Sequence, residues 1–310
     1  MIDKIKAVMF GHAVGDALGV PVEFCSRDYL CNNPVVDMIG FGTHNVPAGT
    51  WSDDTSMSLC ALSSLLNGDV DYDDVMKNFG KWAHYGEFTT DGVVFDIGNT
   101  CSYAIDNYFY GKMSTKSCGL TSATSNGNGS LMRVHPFVLY AYCNGIHDDK
   151  EFVDIISNAS SLTHAHKCSI DGCVIYAYVL RELLNKPDKI SIYKGIDCAK
   201  SVRTLGRYYD RVLSGDIGTL DKKEIKSTGY VVDSLEAALW CLLTTNNYEE
   251  CVLKAVNLGE DTDTVAAIAG SLAGVLYGID AIPIHWMETL RKREYIEEMC
   301  VTAFRSWGAK

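Results

Sequence analysis

Proline is scarce in this chain, at six residues in 310. Proline removes a backbone donor and interrupts helices, so its scarcity leaves long segments free to be helical, and strand signals are few. Basic residues are a minority as well: 27 Lys and Arg face 39 Asp and Glu, for a formal net charge of -12. Nucleic-acid backbones are bound through clustered Lys and Arg, so no nucleic-acid partner is expected. An uninterrupted apolar run of about 20 residues, the length of a membrane span, is missing. The opening Met1-Ile2-Asp3-Lys4-Ile5-Lys6 has no charged-then-apolar signal pattern. No membrane partner and a cytoplasmic location are therefore expected. The twelve cysteines contain no Cys-x-x-Cys pair, the nearest spacing being Cys168 to Cys173, which favours reduced core thiols over a disulfide framework.

What is present is apolar content sufficient for a large core, 47% of the residues. No linker rich in Pro, Gly or Ser divides the chain and no repeat is visible, so one domain spanning 1–310 is expected. Apolar residues recur every three to four positions, which predicts an all-α fold. The predicted helices are Ile2–Leu18, Asp53–Leu66, Tyr72–Trp82, Val93–Asn107, Ser130–Tyr142, Lys150–Ser161 and Ala165–Leu184. Further ones are Ile190–Leu213, Ser234–Thr244, Tyr248–Leu258, Thr262–Tyr277 and Glu288–Ser306. Two of them, Ala7 to Gly19 and Thr264 to Tyr277, are apolar nearly all round and studded with Ala and Gly, which places both in the centre of a bundle. The first carries a lone acid, Asp16.

Two acidic clusters open small-residue-rich helices at opposite ends of the chain: Trp51-Ser52-Asp53-Asp54-Thr55 and Gly259-Glu260-Asp261-Thr262-Asp263-Thr264. Either alone would read as an N-cap with acids favoured by the helix macrodipole. Carboxylates crowded twice in one design point further, to a shared cation that offsets their repulsion. All the candidate ligands are oxygens, which suits magnesium, calcium or manganese and not zinc or copper. Asp261 and Asp263, two apart, do not share a face of a regular helix, but both can converge on one ion at a turn leading into a helix.

Other motifs have simpler readings. Gly127-Asn128-Gly129-Ser130-Leu131-Met132-Arg133 resembles a glycine loop feeding a helix N-terminus, where free amides can hold a phosphate; the alternative is a tight turn with Arg133 solvated. Thr163-His164-Ala165-His166 suits helix capping or packing better than zinc. The acid-rich Asp69 to Asp74 reads as a solvated cap, and the stretch Gly111–Gly129 as a long loop.

The chain resembles the ADP-ribosylglycohydrolase family. The resemblance rests on Gly11-His-Ala-Val-Gly-Asp-Ala-Leu-Gly-Val-Pro-Val-Glu23, Trp51-Ser-Asp-Asp-Thr-Ser56, Asp96-Ile-Gly98, Gly127-Asn-Gly-Ser-Leu-Met-Arg133, Leu162-Thr-His164 and Gly259-Glu-Asp-Thr-Asp-Thr264, in that order. It implies a compact, orthogonal, all-α multi-helix bundle with two Mg2+ or Mn2+ ions at the base of a cleft. By resemblance Ser52, Asp53, Asp54, Asp261, Asp263 and Thr264 are metal ligands, and Gly127, Asn128, Gly129, Ser130, Leu131 and Met132 bind a diphosphate. Asp96, Gly98 and His164 line the ribose and phosphate pocket. Glu23, Asp54 and Asp263 are the candidates for general base or electrostatic stabiliser. Where some members place an aromatic residue to stack on adenine, this chain has Asn126.

The implied activity is metal-dependent hydrolysis of the N-glycosidic bond between ADP-ribose and a protein side chain, with arginine the expected acceptor and an ADP-ribosylated protein the partner. The Ser52 form of the front motif resembles arginine-directed members. Two alternatives stay open: hydrolysis of O-linked ADP-ribose, on serine or as O-acetyl-ADP-ribose, and a catalytically silent ADP-ribose-binding or immunity protein. Nothing here determines oligomeric state.

Overall fold

The computed structural model describes residues 1–307, so the last three positions of the expected 1–310 domain lie outside the described residues. The fold is all-α as expected. In chain order the helices are α1 (Ile2–Gly19), α2 (Arg27–Asn32), α3 (Asp53–Leu65), α4 (Tyr72–Tyr85), α5 (Asn99–Phe109), α6 (His135–Cys143), α7 (Asp149–Ser161) and α8 (Lys167–Asn185). They continue as α9 (Lys189–Val202), α10 (Asp210–Leu213), α11 (Val231–Leu243), α12 (Tyr248–Val256), α13 (Thr262–Tyr277), α14 (Ile284–Thr289) and α15 (Arg293–Trp307). Among the described residues the β pairing consists of three isolated bridges, including Leu120 with His164 and Gly127 with Tyr230.

The centre is the crossing of α1 and α13, the two small-faced helices. Both are buried along almost their whole length. Glycines at 11, 15 and 19 let the backbones approach each other. A β-carbon at Gly15 would stand 2.2 Å from the Ala266 carbonyl oxygen, and one at Gly19 would stand 2.3 Å from Asp263 Cα. Helices α3, α12 and α15 pack around this pair, and α11 and α8 pack against α13. The stretch 2–22 is long and apolar enough to cross a membrane by composition, unlike the expectation from uninterrupted runs, yet 94% of its apolar window is buried inside the fold. It is the core helix of the bundle.

Four predicted boundaries move by five residues or more, each for a specific reason. The Val93–Asn107 helix starts only at Asn99, because Asp96 has φ +59° and Gly98 is extended as the N-cap. The Ser130–Tyr142 helix starts at His135, with Pro136 in its first turn, where a missing N–H breaks no intrahelical bond; a helix running on from Ser130 would need that N–H to reach the Met132 carbonyl. The Ile190–Leu213 helix breaks after Val202: the buried Asp171 carboxylate accepts hydrogen bonds from Arg203 Nε (2.7 Å) and Gly206 N–H (2.8 Å) and draws that segment out of the helix. The last helix starts at Arg293, since Lys292 has φ +44° and Glu288 belongs to the separate α14. Helices α2 and α14, six residues each, are too short to show a periodicity. All twelve cysteines are free thiols, most of them buried.

Substituting Gly15 by Ala should destabilise the protein by about 1–3 kcal/mol, the usual cost of overpacking a core that cannot yield, because the new methyl meets backbone and not a flexible side chain. Urea denaturation followed by far-UV circular dichroism measures this; an unchanged midpoint would show that the crossing can widen.

Candidate functional site

The α1–α13 crossing brings the two acidic clusters together. Ser52 caps α3, accepting from Asp54 N–H, and donates its hydroxyl to Asp54 Oδ2 at 3.0 Å. The same Asp54 oxygen accepts from Thr264 Oγ1 at 3.2 Å, a direct bond between the front and rear motifs, 210 residues apart in sequence. Asp16 of α1 lies beneath: its carboxylate accepts from Ser52 N–H (2.9 Å), Thr55 N–H (3.0 Å) and Thr55 Oγ1 (2.6 Å). It is a cap on α3 supplied from another helix. The lone acid visible in the sequence thus positions the front cluster, a role its spacing could not specify.

Two groups of carboxylates each have oxygens within 4.8 Å of one another: Asp16, Asp54 and Asp263, and Glu23, Asp261 and Asp263. Asp263 belongs to both. Three oxygens in this knot, Asp54 Oδ1, Asp261 Oδ1 and Asp263 Oδ2, are buried without a hydrogen-bond partner. Buried carboxylate oxygens left unpaired are costly, and an all-oxygen set of this kind fits a hard divalent cation. The clusters could therefore hold metal. Burial first, and neighbouring carboxylates second, push Asp53, Asp54 and Asp263 well above the ordinary carboxylate range.

A cleft of about 370 Å³ opens over the knot, lined among others by Glu23, Phe24, Asp53, Asp96, Gly98, Gly127, Asn128, Gly129, Met132, His164, Asp261 and Thr264. Backbone pairing aims Glu23 into it: Phe24 N–H donates to the Glu260 carbonyl (2.7 Å) and Glu260 N–H to the Cys25 carbonyl (2.8 Å). The glycine loop, which also lines the cleft, is tied to the rear cluster through Asn128 Nδ2, which donates to Asp261 Oδ2 (2.8 Å) and to Ser234 Oγ (2.9 Å). Gly129 admits no side chain, since a β-carbon there would meet Cys101 Sγ at 2.8 Å and His164 Cε1 at 3.0 Å.

Arg133 is fully buried, contrary to the solvated alternative. Its guanidinium lies over the Phe79 ring (4.7 Å) and donates to the Ala159 carbonyl and to Thr163 Oγ1 (2.8 Å). Thr163 Oγ1 also shares a hydrogen bond with His164 Nδ1, 2.8 Å away, and the Nε2 edge of the ring lies against Gly127 and Gly129. Burial and then Arg133 push the His164 pKa down to about 3, so the ring stays neutral.

The ADP-ribosylglycohydrolase model matches residues 1–309. The chain belongs to the ADP-ribosylglycohydrolase family. It is 34% identical, over 304 residues covering 98% of this chain and 79% of the relative, to the ADP-ribosylarginine hydrolase Tri1 of Serratia proteamaculans (strain 568). It is 28% identical, over 93% of this chain and 90% of the relative, to the ADP-ribosyl-[dinitrogen reductase] glycohydrolase of Rhodospirillum rubrum. A solved structure titled ADP-ribosylglycohydrolase-related protein complex superposes with a TM-score of 0.84 at 32% identity, covering 98% of both chains.

Set on this family fold, the residues singled out in the sequence fall into three places. Ser52, Asp54, Asp261, Asp263 and Thr264 converge in the knot, and Asp53 stands at its edge, facing the cleft. Glu23, Asp96, Gly98, Gly127, Asn128, Gly129, Met132 and His164 line the cleft. Ser130 and Leu131 are turned into the core, Ser130 Oγ accepting from Ser160 Oγ at 2.9 Å, so their side chains do not face the cleft. The glycine loop does not run straight into a helix, because five residues separate Gly129 from α6. Asn126 is engaged elsewhere, its Oδ1 accepting from Ser169 Oγ (3.0 Å) and lying 3.0 Å from His166 Nδ1. His166 caps α8 and Asp71 caps α4, as their spacing suggested.

The acids give the cation-free protein a definite pH dependence. Burial and the charge of Asp261 push Glu23 up to about 8; burial and Glu23 push Asp96 up to about 8. The native state holds protons there that the unfolded chain has released, so stability falls as pH rises toward 8. Buried His12 and His164, lowered to about 4 and about 3, act oppositely but only below 6.5, their ordinary value. The thermal midpoint of chelator-treated protein should therefore fall between pH 6.5 and 8, and Mg2+ or Mn2+ should remove most of the fall. Scanning fluorimetry reads both effects; a flat or rising midpoint in chelator would overturn the assignment.

Proposed function

We propose that this protein hydrolyses the N-glycosidic bond between ADP-ribose and an arginine side chain of a modified protein, with two Mg2+ or Mn2+ ions in the acidic knot. The observation carrying this reading is the meeting of Asp54 with Asp261 and Asp263, three unpartnered oxygens among them, beneath a cleft in an ADP-ribosylglycohydrolase fold. The arginine acceptor draws support from the 34%-identical relative named as an ADP-ribosylarginine hydrolase.

Ser52, Asp53, Asp54, Asp261, Asp263 and Thr264 would hold the ions, Asp263 serving both groups. When bound, hard cations of this kind hold sugar hydroxyls, orient a water and stabilise developing charge. The chain's own residues do the rest. Asn128 fixes Asp261 by one oxygen and leaves the other free for a ligand. The amide groups of Gly127 and Gly129 and the Nε2 edge of His164 offer neutral groups to a diphosphate, on a cleft wall with no Lys or Arg among its lining residues. Of Glu23, Asp54 and Asp263, the three candidate bases, Glu23 is the one that lines the cleft. With its raised proton affinity lowered by positive charge held in the knot, Glu23 would take a proton from a water approaching the anomeric carbon of an oxocarbenium-like transition state.

With Mn2+ present, the protein should release ADP-ribose from an arginine-linked peptide, detected by mass spectrometry, and do so faster than from a serine-linked peptide. Faster release from serine would move the acceptor to the O-linked class; release from neither would favour the silent reading. Asp53→Asn and Asp261→Asn should each lower turnover by at least about 100-fold, on the order of the loss of a transition-state electrostatic contact, while circular dichroism stays native. Full activity in either variant would refute its place in the knot.

A further inference from the structure

The residues assigned so far address the ADP-ribose half of the substrate and the ions, and none of them addresses the acceptor. Phe24, next to Glu23, lines the cleft yet is 66% exposed. Its φ is +64°, a left-handed conformation that is unfavourable for a bulky L residue. The backbone bonds exchanged with Glu260 hold it there, and Glu260 itself has φ +63°. Strain concentrated at a cleft is a signal of function, and here it maintains a large apolar ring in water at the mouth.

The surroundings of that ring define what it could bind. His44 stands 6.1 Å from Phe24 and 4.9 Å from Phe95, ring centroid to centroid, and its Nε2 meets the Glu23 carboxylate. Thr43 Oγ1 donates to the Glu23 carbonyl at 2.7 Å, so the 43–44 turn grips Glu23 twice. Asp96, following Phe95, presents its carboxylate to the same cleft. The diphosphate wall is built from other segments, its Asn128 N–H donating to the Gly229 carbonyl (3.0 Å) and its glycines lying against His164. Phe24 and Asp96 thus make a side of the cleft that carries an aromatic face and a carboxylate with no lysine or arginine to compete.

We propose that Phe24 is the platform of the acceptor subsite, its ring stacking on the planar guanidinium of the modified arginine on the side of the cleft that Asp96 makes acidic. This rests on the hydrolase reading above. A guanidinium is planar, weakly hydrated and rich in donors, and stacks on aromatic faces; a serine hydroxyl offers neither the plane nor the charge.

The test uses the full chain with Mn2+ and ADP-ribosyl-agmatine, a small guanidinium conjugate, alongside calorimetric titration with ADP-ribose. Phe24→Ala should raise KM for the conjugate about 3- to 30-fold, the span of a cation–π contact, while the ADP-ribose Kd changes by less than about twofold. Phe24→Tyr should restore KM, and Phe24→Leu should not. An unchanged KM in Phe24→Ala, or a Kd that rises in step with KM, would overturn the subsite. A wild-type protein inert on the conjugate would overturn it together with the arginine acceptor, a result visible before any variant is made.

Discussion

The close crossing of α1 and α13 is the constraint on which the rest of this molecule depends. Glycines at 11, 15 and 19 remove the side chains that would hold the two helices at ordinary spacing, and main chain meets main chain. Asp16 on α1 and Asp263 on α13 consequently stand in one buried group with Asp54. Larger side chains at those glycines would push α1 away from α13, and with it Asp16, which holds the front motif through Ser52 and Thr55.

That proximity sets an electrostatic problem which the surrounding structure only half resolves. Hydroxyls of Ser52, Thr55 and Thr264 and backbone amides satisfy one set of carboxylate oxygens. Others stay unpaired, and burial raises the proton affinity of the whole group. A knot of this kind is unfavourable in the fold by itself and becomes favourable when positive charge arrives. Stability and function are thereby coupled: the same oxygens that disfavour the empty fold are the ones free to coordinate.

Helix content was legible because the chain's apolar spacing is strongly helical and proline seldom interrupts it. Three of the boundaries that moved share one cause, the fourth being set by Pro136. At Asp96, at residues 203–206 and at Lys292 the backbone follows tertiary hydrogen bonds or a left-handed φ, and neither leaves a trace in local periodicity. The knot's residues were legible too, since crowded acids opening small-residue helices are unusual on either reading. Asp16 was visible only as an isolated acid, because its partners, Ser52 and Thr55, lie 36 and 39 residues away. A solvated Arg133 was one of two open readings, because a charged residue after a glycine turn ordinarily reaches water, and only the packing shows it buried over Phe79.

By itself, then, the sequence determined the class of fold, the oxygen chemistry of the candidate metal ligands and, through its ordered motifs, membership of the ADP-ribosylglycohydrolase family. Residue types and their local spacing carry that information. The tertiary structure alone decided which acids meet, which oxygens are left unpaired, and which walls of the cleft bear aromatic, acidic or neutral groups. Those are properties of long-range packing, set by where α1, α13 and the loops at 24, 44, 96 and 128 come to rest, and no local pattern encodes the distances between them.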